Sequence, residues 1–468
     1  MLQKKENTIK PEKVGGFLDY LPPVMLARQR MLDVIKTTYE RFGFMPLDTP
    51  AVERLDVLTG NKPDFRMNLY RVLITTGLTD INEAAQKCDT DLALRFDLTV
   101  PLSRVIAAYP DKINKPFKRY QIGKVWRGER AQAGRYREFV QFDADIIGSR
   151  STTADTEIIQ LMYEIMTALG FSNFLIKINN RKIFEGLNEY ISLKDEDKKA
   201  EMMRIIDKLE KIGNEAMTKE LKREPDNEYD PAPNLSSNNI DKILSFISIT
   251  GSHTEILDKA EKIVGGVGIG KKGIDELREI VENLEALEIP KKNWAIDLSI
   301  ARGLGYYTGP VFETTLNDMP EIGSVFSGGR FDGLVDRFIP NSNIPGTGAS
   351  VGVDRLFTAM KKLGKIEIIP SLTKVLVVMF DPTLRKDYLK IANKIRKEGI
   401  PTEIYFDKVP LKTQVTYAAK QEIPLVVIMG SKEKAENKIA LKNMKTRTQE
   451  TINENQLLDR IKQILKDS

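Results

Sequence analysis

The feature that most constrains the fold is a long run of alternating residues between positions 117 and 147. It reads "FKRYQIGKVWRGE", then "RAQAGR", then "YREFVQFDADII". Alternation with a period of two is typical of β-strands, and a short glycine-containing stretch between two such runs indicates a hairpin. The sequence therefore predicts a hairpin with strands at 117–129 and 136–147 and a loop at 130–135.

The two faces of this hairpin differ in character. Its apolar face holds Tyr120, Ile122 and Trp126 on the first strand and Val140, Phe142 and Ile146 on the second. Its ionic face holds Arg119, Gln121, Arg127 and Glu129 on the first strand and Arg137, Gln141, Asp143 and Asp145 on the second. A half-solvated surface sheet has the same pattern, and that alternative stays open. The apolar stretches 94–100 and 294–300, interpreted as strands that frame the hairpin, favour an interior sheet.

The rest of the chain divides by changes of pattern. At ~150 residues per domain, 468 residues correspond to about three domains. Apolar residues at helical spacing predict a helix at 25–43, and charged helical sequence such as "LKDEDKKAEMMRIIDKLEKIG" predicts an inserted helical module. We expect a first domain at 1–180 that continues at 291–368 and is interrupted by the helical module at 181–290. Alternating strands and helices at 372–468 predict a separate α/β domain.

Composition excludes several kinds of site. The chain has one cysteine, Cys88, and one histidine, His253, so a disulfide scaffold, a paired-Cys zinc site or a His-rich metal centre is not expected. The amino terminus is charged, and no uncharged apolar run approaches the ~20 residues that a membrane span needs. These features predict a cytoplasmic protein without a membrane partner, in which His253 is a surface or capping residue.

Positive charge is concentrated in the last part of the chain. Residues 372–468 contain 19 Lys and Arg against 12 Asp and Glu, so they carry +7 while the other residues carry −2 of the total of +5. Such asymmetry is typical of a nucleic-acid partner. Ordinary lysine-rich helix surfaces are the alternative for any single lysine.

Three arginines beside glycines suggest a polyphosphate site. Arg127, Arg302 and Arg355 each lie at a predicted strand end or helix start, where a planar guanidinium can reach an anion. A phosphate loop of the type G-x-x-x-x-G-K-[ST] is absent, and "GGVGIG" follows a helical rather than a strand pattern. If ATP binds, arginines on a sheet are expected to hold it.

The motifs together resemble those of histidyl-tRNA synthetases, a family of class II aminoacyl-tRNA synthetases. The hairpin is similar to motif 2, "GTGASVGVDRLF" to motif 3, and "ARGLGYYTGPVFE" and "SGGRFDGL" to the two histidine-specific signatures. This resemblance covers nearly the whole chain. It implies an α+β catalytic domain with an antiparallel sheet, a helical insertion and a C-terminal α/β anticodon-binding domain. The implied activity is histidine–tRNA ligation with ATP and Mg²⁺, tRNA(His) as partner, a homodimer and no tightly bound cofactor.

The resemblance also implies roles for individual residues. Arg302 and Arg127 are expected at the α-phosphate of ATP, Arg355 at the γ-phosphate and Glu129 elsewhere in the nucleotide site. Asp145 and Tyr307 are expected at the imidazole of histidine, and Asp97, Thr99 and Gln141 at its amino group; Tyr306 is expected to pack. Gln141 and Asp145 share a strand face roughly 13 Å apart, which suits opposite ends of one amino acid. Gln132 and Arg135, in the hairpin loop, are candidates for tRNA contacts, and no metal ligands are assigned among the side chains.

Departures from the family pattern are small, and two other functions stay open. Gly16-Phe17-Leu18-Asp19 replaces the common G-T-R-D start, and Phe331 stands where tyrosine is frequent. One alternative is a non-catalytic regulatory paralogue, such as the partner of ATP phosphoribosyltransferase, and the other is a tRNA sensor without ligase activity. Such proteins tolerate loss of parts of the arginine set, and Arg127, Arg302 and Arg355 are all present here.

Overall fold

A computed structural model describes residues 9–60, 69–73, 91–129, 136–227, 230–266, 268–301 and 305–466. Three residues predicted for the site, Gln132, Arg135 and Arg302, lie outside these ranges, as does Cys88. The chain forms two compact units. The first comprises residues 1–18 and 31–365, and the second comprises residues 19–30 and 366–468.

A mixed, mainly antiparallel sheet forms the centre of the first unit. Within the described residues it has eight strands in the order β1-β4-β5-β10-β9-β8-β6-β7. Their bounds are β1 Met45–Pro46, β4 Phe117–Trp126, β5 Glu138–Ile147, β6 Phe174–Asn180, β7 Trp294–Ile296, β8 Pro310–Leu316, β9 Phe326–Arg330 and β10 Gly346–Gly352. Only the edge pairs β1–β4 and β6–β7 are parallel among these strands. A separate two-stranded sheet pairs β2 (Val52–Arg54) with β3 (Leu92–Leu94).

The predicted hairpin is confirmed, and its ionic face is inside the protein. Strands β4 and β5 pair antiparallel, with Arg119 opposite Asp145 and Gln121 opposite Asp143. These four side chains are at most 2% exposed. The interior alternative is therefore correct for this part of the face, and the half-solvated surface sheet is excluded there.

The stretches 94–100 and 294–300 do not form the two strands that were expected to frame the hairpin. Strand β3 ends at Leu94 and belongs to the small sheet, while a helix begins at Thr99. Strand β7 covers only Trp294–Ile296, at the opposite edge of the large sheet from the hairpin. Apolar runs of this length do not distinguish a strand from a buried helix or turn, which explains both errors.

On the side away from β4, the neighbour of β5 is the glycine-rich strand β10. Gly348 pairs with Asp145, and a Cβ atom at Gly348 would lie 2.6 Å from both Asp145 Cγ and Ala144 O. The glycine is therefore needed because the neighbouring strand presents a carboxylate there, and the backbone itself is extended. The predicted helix containing Arg355 does follow, at Val353–Lys362.

Helices precede and follow the strands of the large sheet, and six of them form the described part of the segment between β6 and β7. The first four are α1 Pro22–Arg41, α2 Leu55–Thr59, α3 Thr99–Ala108 and α4 Thr152–Ala168. Between the strands follow α5 Arg181–Tyr190, α6 Glu196–Ile206, α7 Leu209–Lys222, α8 Ser237–Ile247, α9 His253–Val264 and α10 Gly268–Ala286, and α11 Val353–Lys362 follows β10. Helix α1 has the predicted apolar stripe, since Met31, Leu32, Ile35 and Tyr39 are buried. Tyr39 also donates a hydrogen bond to the carbonyl of Phe142, which fixes this helix on the hairpin.

Two features of the helical segment have packing explanations. A Cβ at Gly186 in α5 would lie 2.9 Å from the Cα of Gly270, so Gly270, the last glycine of "GGVGIG", allows two helices to approach closely. His253 is the first residue of α9 and stacks on the buried ring of Trp294, with 4.0 Å between ring centroids. The prediction of a surface or capping residue is therefore wrong: His253 is half-buried by packing on Trp294, and Ser252 supplies the helix cap.

The second unit contains a five-stranded sheet in the order β12-β11-β13-β14-β15. Its strands are β11 Val375–Val377, β12 Thr402–Ile404, β13 Leu425–Ile428, β14 Lys438–Asn443 and β15 Gln449–Asn453. The first three in this order are parallel and the last two are antiparallel. Helices α12 Arg385–Lys397, α13 Leu411–Lys420, α14 Ser431–Ala435 and α15 Leu457–Lys466 complete the predicted α/β alternation.

Among the helices that the structure describes, none is long and apolar enough to span a membrane.

Candidate active site

A cavity of about 430 Å³ lies in the first unit and is lined by residues of β5, β8, β9 and β10. Seven of the residues predicted for the site line it: Asp97, Thr99, Arg127, Gln141, Asp145, Tyr307 and Arg355. An adjoining cavity of about 190 Å³ contains Glu129 and Phe139 and shares Arg127, Gln141 and Arg355 with the first. The structure thus brings together every described residue that the sequence proposed for the site.

Asp145, which lines the large cavity, belongs to a buried ion pair. Arg119 Nη2 lies 2.7 Å from Asp145 Oδ2, and the same Nη2 donates a hydrogen bond to the carbonyl of Leu98. Both side chains are at most 3% exposed. Arg119 therefore holds the Asp145 carboxylate from one side, while Gly348 leaves the space beside Oδ1 free of a side chain.

Gln141 is oriented by a hydroxyl on the neighbouring strand. Its Nε2 donates to Ser350 Oγ at 2.8 Å. Its Oε1 is buried and has no hydrogen-bond partner among the described residues, and the same holds for Asp143 Oδ1. Buried polar atoms without partners are costly, so acceptors of this kind beside a cavity suit a ligand that brings donors.

Asp97 is another buried carboxylate of the cavity. Its Oδ1 accepts from the backbone N–H of Val100 at 3.1 Å, and its Oδ2 accepts from the hydroxyl of Tyr306 at 3.0 Å. Tyr306 also packs in a buried apolar cluster with Phe331. The expectation that Tyr306 packs is therefore correct but incomplete, because its hydroxyl orients Asp97.

Burial controls the electrostatics of these acids. It raises the pKa of Asp97, Asp143 and Asp145, and for Asp143 and Asp145 the positive charge of Arg119 opposes that rise. Burial also raises the pKa of Tyr307, so its hydroxyl stays protonated and can donate. With Glu313, four buried acids line this cavity, and such a group favours a cationic or N–H-rich ligand.

Two arginines also line the large cavity. Arg127 Nε donates to the carbonyl of Phe96 at 3.1 Å, and its guanidinium lies 5.2 Å from the centroid of the Phe139 ring. Arg355 Nη1 donates to the carbonyl of Ser324 at 2.6 Å. Each guanidinium is thus anchored on a backbone carbonyl where it lines the cavity, and a planar guanidinium suits the recognition of an anion.

Sequence reasoning assigned no role to Arg119, Asp143 or Ser350. Arg119 and Asp143 lie on the predicted ionic face, in phase with Gln141 and Asp145, so the signal for them was present. Ser350 gave no such signal, because its position beside Asp143 depends on the pairing of β10 with β5. No cluster of three or more His, Cys, Asp or Glu suited to a metal occurs in the part of the chain that the structure describes.

Comparison with known proteins places this chain in a family. The family model for histidyl-tRNA synthetase matches residues 16–356, and a model described as an anticodon binding domain matches residues 374–464. The chain belongs to the histidyl-tRNA synthetase family. Members of this family from Clostridium tetani and Wolinella succinogenes, both named histidine–tRNA ligase, are 39% and 40% identical over 96% and 94% of this chain. These alignments cover 97% and 95% of the two relatives.

Solved structures of histidyl-tRNA synthetases share the fold. The enzyme from Nostoc sp. PCC 7120 superimposes with a TM-score of 0.80 at 34% identity, over 97% of this chain and all of that one. A protein from Bacillus halodurans, described as an ATP phosphoribosyltransferase regulatory subunit/histidyl-tRNA synthetase, has a TM-score of 0.70 at 21% identity, over 88% of this chain and 97% of its own. At that identity the second likeness concerns the fold alone. Both confirm the predicted fold class.

Proposed function

We propose that this chain is a histidine–tRNA ligase that activates histidine with ATP to histidyl-adenylate and transfers the histidyl group to the 3′ end of tRNA(His). The observation that carries the proposal is one cavity lined both by buried carboxylates and by arginines anchored on backbone carbonyls. Membership of the family supports it.

The buried carboxylates of the cavity and their polar neighbours fit histidine. Asp145, held by Arg119, accepts a hydrogen bond from one imidazole N–H, and Tyr307 bonds to the other ring nitrogen. Asp97, Thr99 and the free Oε1 of Gln141 accept from the α-ammonium group. An amino acid without ring nitrogens would leave buried polar groups unpaired, which is how such a site discriminates between substrates.

The arginines of the proposed site fit ATP. Arg127 and Arg302 stabilise negative charge at the α-phosphate, Arg355 holds the γ-phosphate, and Glu129 contacts the nucleotide in the smaller cavity. Phe139, which lies under Arg127, offers an apolar face for the adenine ring. Mg²⁺ typically keeps several waters and binds mainly through substrate phosphates, so we expect it to arrive with ATP and to neutralise the departing pyrophosphate.

The reaction requires two anions to meet. A carboxylate oxygen of histidine attacks the α-phosphorus, and the bond from that phosphorus to the bridging oxygen breaks, releasing pyrophosphate. Guanidinium groups fixed beside the α-phosphate stabilise the charge of the pentacoordinate transition state more than that of the ground state. A ribose hydroxyl at the tRNA 3′ end then attacks the acyl carbon, which releases AMP.

The remaining parts of the proposal concern organisation. We assign residues 1–180 and 291–368 to the catalytic domain, 181–290 to the helical insertion and 372–468 to the anticodon-binding domain. Gln132 and Arg135 are proposed to contact the tRNA end or the nucleotide. The protein is proposed to act as a cytoplasmic homodimer.

The decisive experiment is ATP–pyrophosphate exchange, measured separately with each standard amino acid. We expect exchange with histidine alone, followed by charging of tRNA(His). A folded protein that binds tRNA without histidine-dependent exchange would instead be a sensor or a regulatory paralogue, and the ligase proposal would be wrong.

A further inference from the structure

Three polar side chains form a hydrogen-bond network beside the large cavity: Gln141 and Asp143 on β5, and Ser350 on β10. Gln141 Nε2 donates to Ser350 Oγ at 2.8 Å. Ser350 lies directly opposite Asp143 in the pairing of the two strands, and its hydroxyl acts as a hydrogen-bond donor to the Asp143 carboxylate. All three residues line the cavity. The hydroxyl of Ser350 therefore connects the amide of one residue of β5 to the carboxylate of another.

The Asp143 carboxylate is not engaged by its neighbour on the other side of β5. Its side chain is 2% exposed, and its Oδ1 has no hydrogen-bond partner among the described residues. On β4 it faces Gln121, but the amide nitrogen of Gln121 donates to Asp48 and Thr49 instead. Asp143 is thus available as an acceptor for the hydroxyl of Ser350.

The hydroxyl of Ser350 has a single proton, so it can donate to only one of its two neighbours at a time. A carboxylate is the stronger acceptor, because hydrogen bonds to charged groups are roughly twice as strong as those between neutral groups. Burial raises the pKa of Asp143, and the positive charge of Arg119 opposes that rise and so favours the carboxylate form. The proton of Ser350 is therefore directed at Asp143, and its lone pairs are left for Gln141 Nε2.

This direction decides which end of the Gln141 amide faces the ligand. Rotation of an amide by half a turn exchanges its donor and its acceptor. Because Nε2 is held by Ser350, Oε1 is the atom without a partner among the described residues. A carbonyl oxygen at this position attracts an ammonium group, whereas an amide N–H would repel it.

We propose that Asp143 and Ser350 are positioning residues that fix the amide of Gln141 with its carbonyl toward the α-ammonium group of histidine. The inference rests on the proposed ligase function and adds to it the source of selectivity for the amino group. Asp143 acts through the hydroxyl of Ser350, and Ser350 acts through the amide of Gln141.

Two analogues of histidine separate its amino group from the rest of the molecule. Histidinol keeps the ammonium group and lacks the carboxylate, while 3-(imidazol-4-yl)propionate keeps the carboxylate and lacks the ammonium group. Their dissociation constants are measured by titration calorimetry on the full chain. For Ser350→Ala we expect histidinol to bind about three- to tenfold more weakly, as for loss of one hydrogen bond, and the propionate to bind within about twofold of the parent.

The matched control is Thr347→Val, which removes a buried hydroxyl from the same strand at a position that lines neither cavity. It should leave both dissociation constants unchanged. Equal weakening of both analogues in Ser350→Ala would indicate general damage to the site and would refute the proposed orientation of Gln141.

A double-mutant cycle tests whether Asp143 acts through Ser350. Asp143→Asn should weaken histidinol binding by about threefold or more in the parent, and by less than about twofold in the Ser350→Ala background, where the network is already broken. A charge that acts on the ammonium group through space would have the same effect in both backgrounds. That result would overturn the proposed network.

Reversal of the network provides a rescue. In Asp143→Asn combined with Gln141→Glu, the introduced amide can donate to Ser350 Oγ, whose proton then turns to the introduced carboxylate. The second oxygen of that carboxylate faces the ammonium group, and histidinol binding should return to within about threefold of the parent. Adding Ser350→Ala should abolish this recovery, and a recovery independent of Ser350 would contradict the proposal.

Failure of this inference is distinguishable from failure of the ligase function. A parent without histidine-dependent pyrophosphate exchange would overturn the function and the inference together. In a parent that exchanges, Ser350→Ala should raise the KM for histidine by the same factor as it weakens histidinol, with the KM for ATP within about twofold. An unchanged KM for histidine would refute the inference alone.

Discussion

Replacing Asp145 by asparagine tests the proposed histidine site most directly. Arg119 lies 2.7 Å from one carboxylate oxygen and is almost fully buried, so it requires an acceptor on that side in the variant as well. The asparagine oxygen is therefore expected to face Arg119, which turns the amide N–H₂ toward the imidazole N–H. A donor then faces a donor, and the hydrogen bond to the ring is lost.

The size of the effect follows from the negative charge of the carboxylate that accepts this hydrogen bond. A hydrogen bond to a charged group contributes about 1.5–3 kcal/mol, so kcat/KM for histidine should fall by about ten- to a hundredfold. The imidazole can change its tautomer, so that its N–H faces Tyr307 instead. Such a change recovers part of the interaction and places the loss of kcat/KM toward the lower end of this range. The KM for ATP should change by less than about threefold, because Asp145 is assigned to the imidazole of histidine and not to the nucleotide.

The assay is pyrophosphate exchange with histidine and ATP titrated in turn. Asp155→Asn is the matched control, because Asp155 is also buried and paired with an arginine, Arg330 at 2.6 Å, but lines neither active-site cavity. If the KM values for histidine and ATP rise equally in Asp145→Asn, or if Asp155→Asn has the same histidine-specific loss, damage to the sheet explains the effect and the assignment fails.

Three further predictions concern the glycine strand, the phosphate site and a buried acid. Gly348→Ala places a Cβ 2.6 Å from Asp145 Cγ and should reduce histidine-dependent exchange more than tenfold and destabilise the fold by about 1–3 kcal/mol, whereas Gly266→Ala, in open space, should do neither; equal denaturation midpoints and activities would contradict this. Arg302→Ala, a prediction from the signature sequence, should slow adenylate formation by about 10²–10³-fold with tRNA affinity retained, and a rate within a few-fold of the parent would exclude its role at the α-phosphate. Burial raises the pKa of Asp155 from 3.8 to about 6, so its contribution to stability is complete below pH 3.8 and is lost as the pH rises through 6. The free energy of unfolding of the parent relative to Asp155→Asn should therefore fall over that range in denaturant titrations, and a rise would show that the shift has the opposite sign.

The sequence by itself determined the hairpin, its two faces, the α/β pattern of residues 372–468 and nearly all of the proposed site residues. Alternation with period two assigns Gln141, Asp143 and Asp145 to one face whatever the strand pairs with, because successive side chains of a strand point to opposite sides. The motifs added the family. Local sequence was sufficient where the information lies within one element.

Only the tertiary structure decided what lies beside that face. The pairing of glycine-rich β10 with β5, which brings Ser350 to Asp143 and leaves room at Asp145, joins segments some two hundred residues apart, and no local pattern records such a pairing. The burial of Arg119 and the bond from Tyr306 to Asp97 depend on the same long-range packing. Exposed Phe406 and the link from Gln414 to the segment after β11 likewise became evident only when the strands of the C-terminal sheet were placed side by side, since burial and exposure belong to the folded chain and not to the residue type.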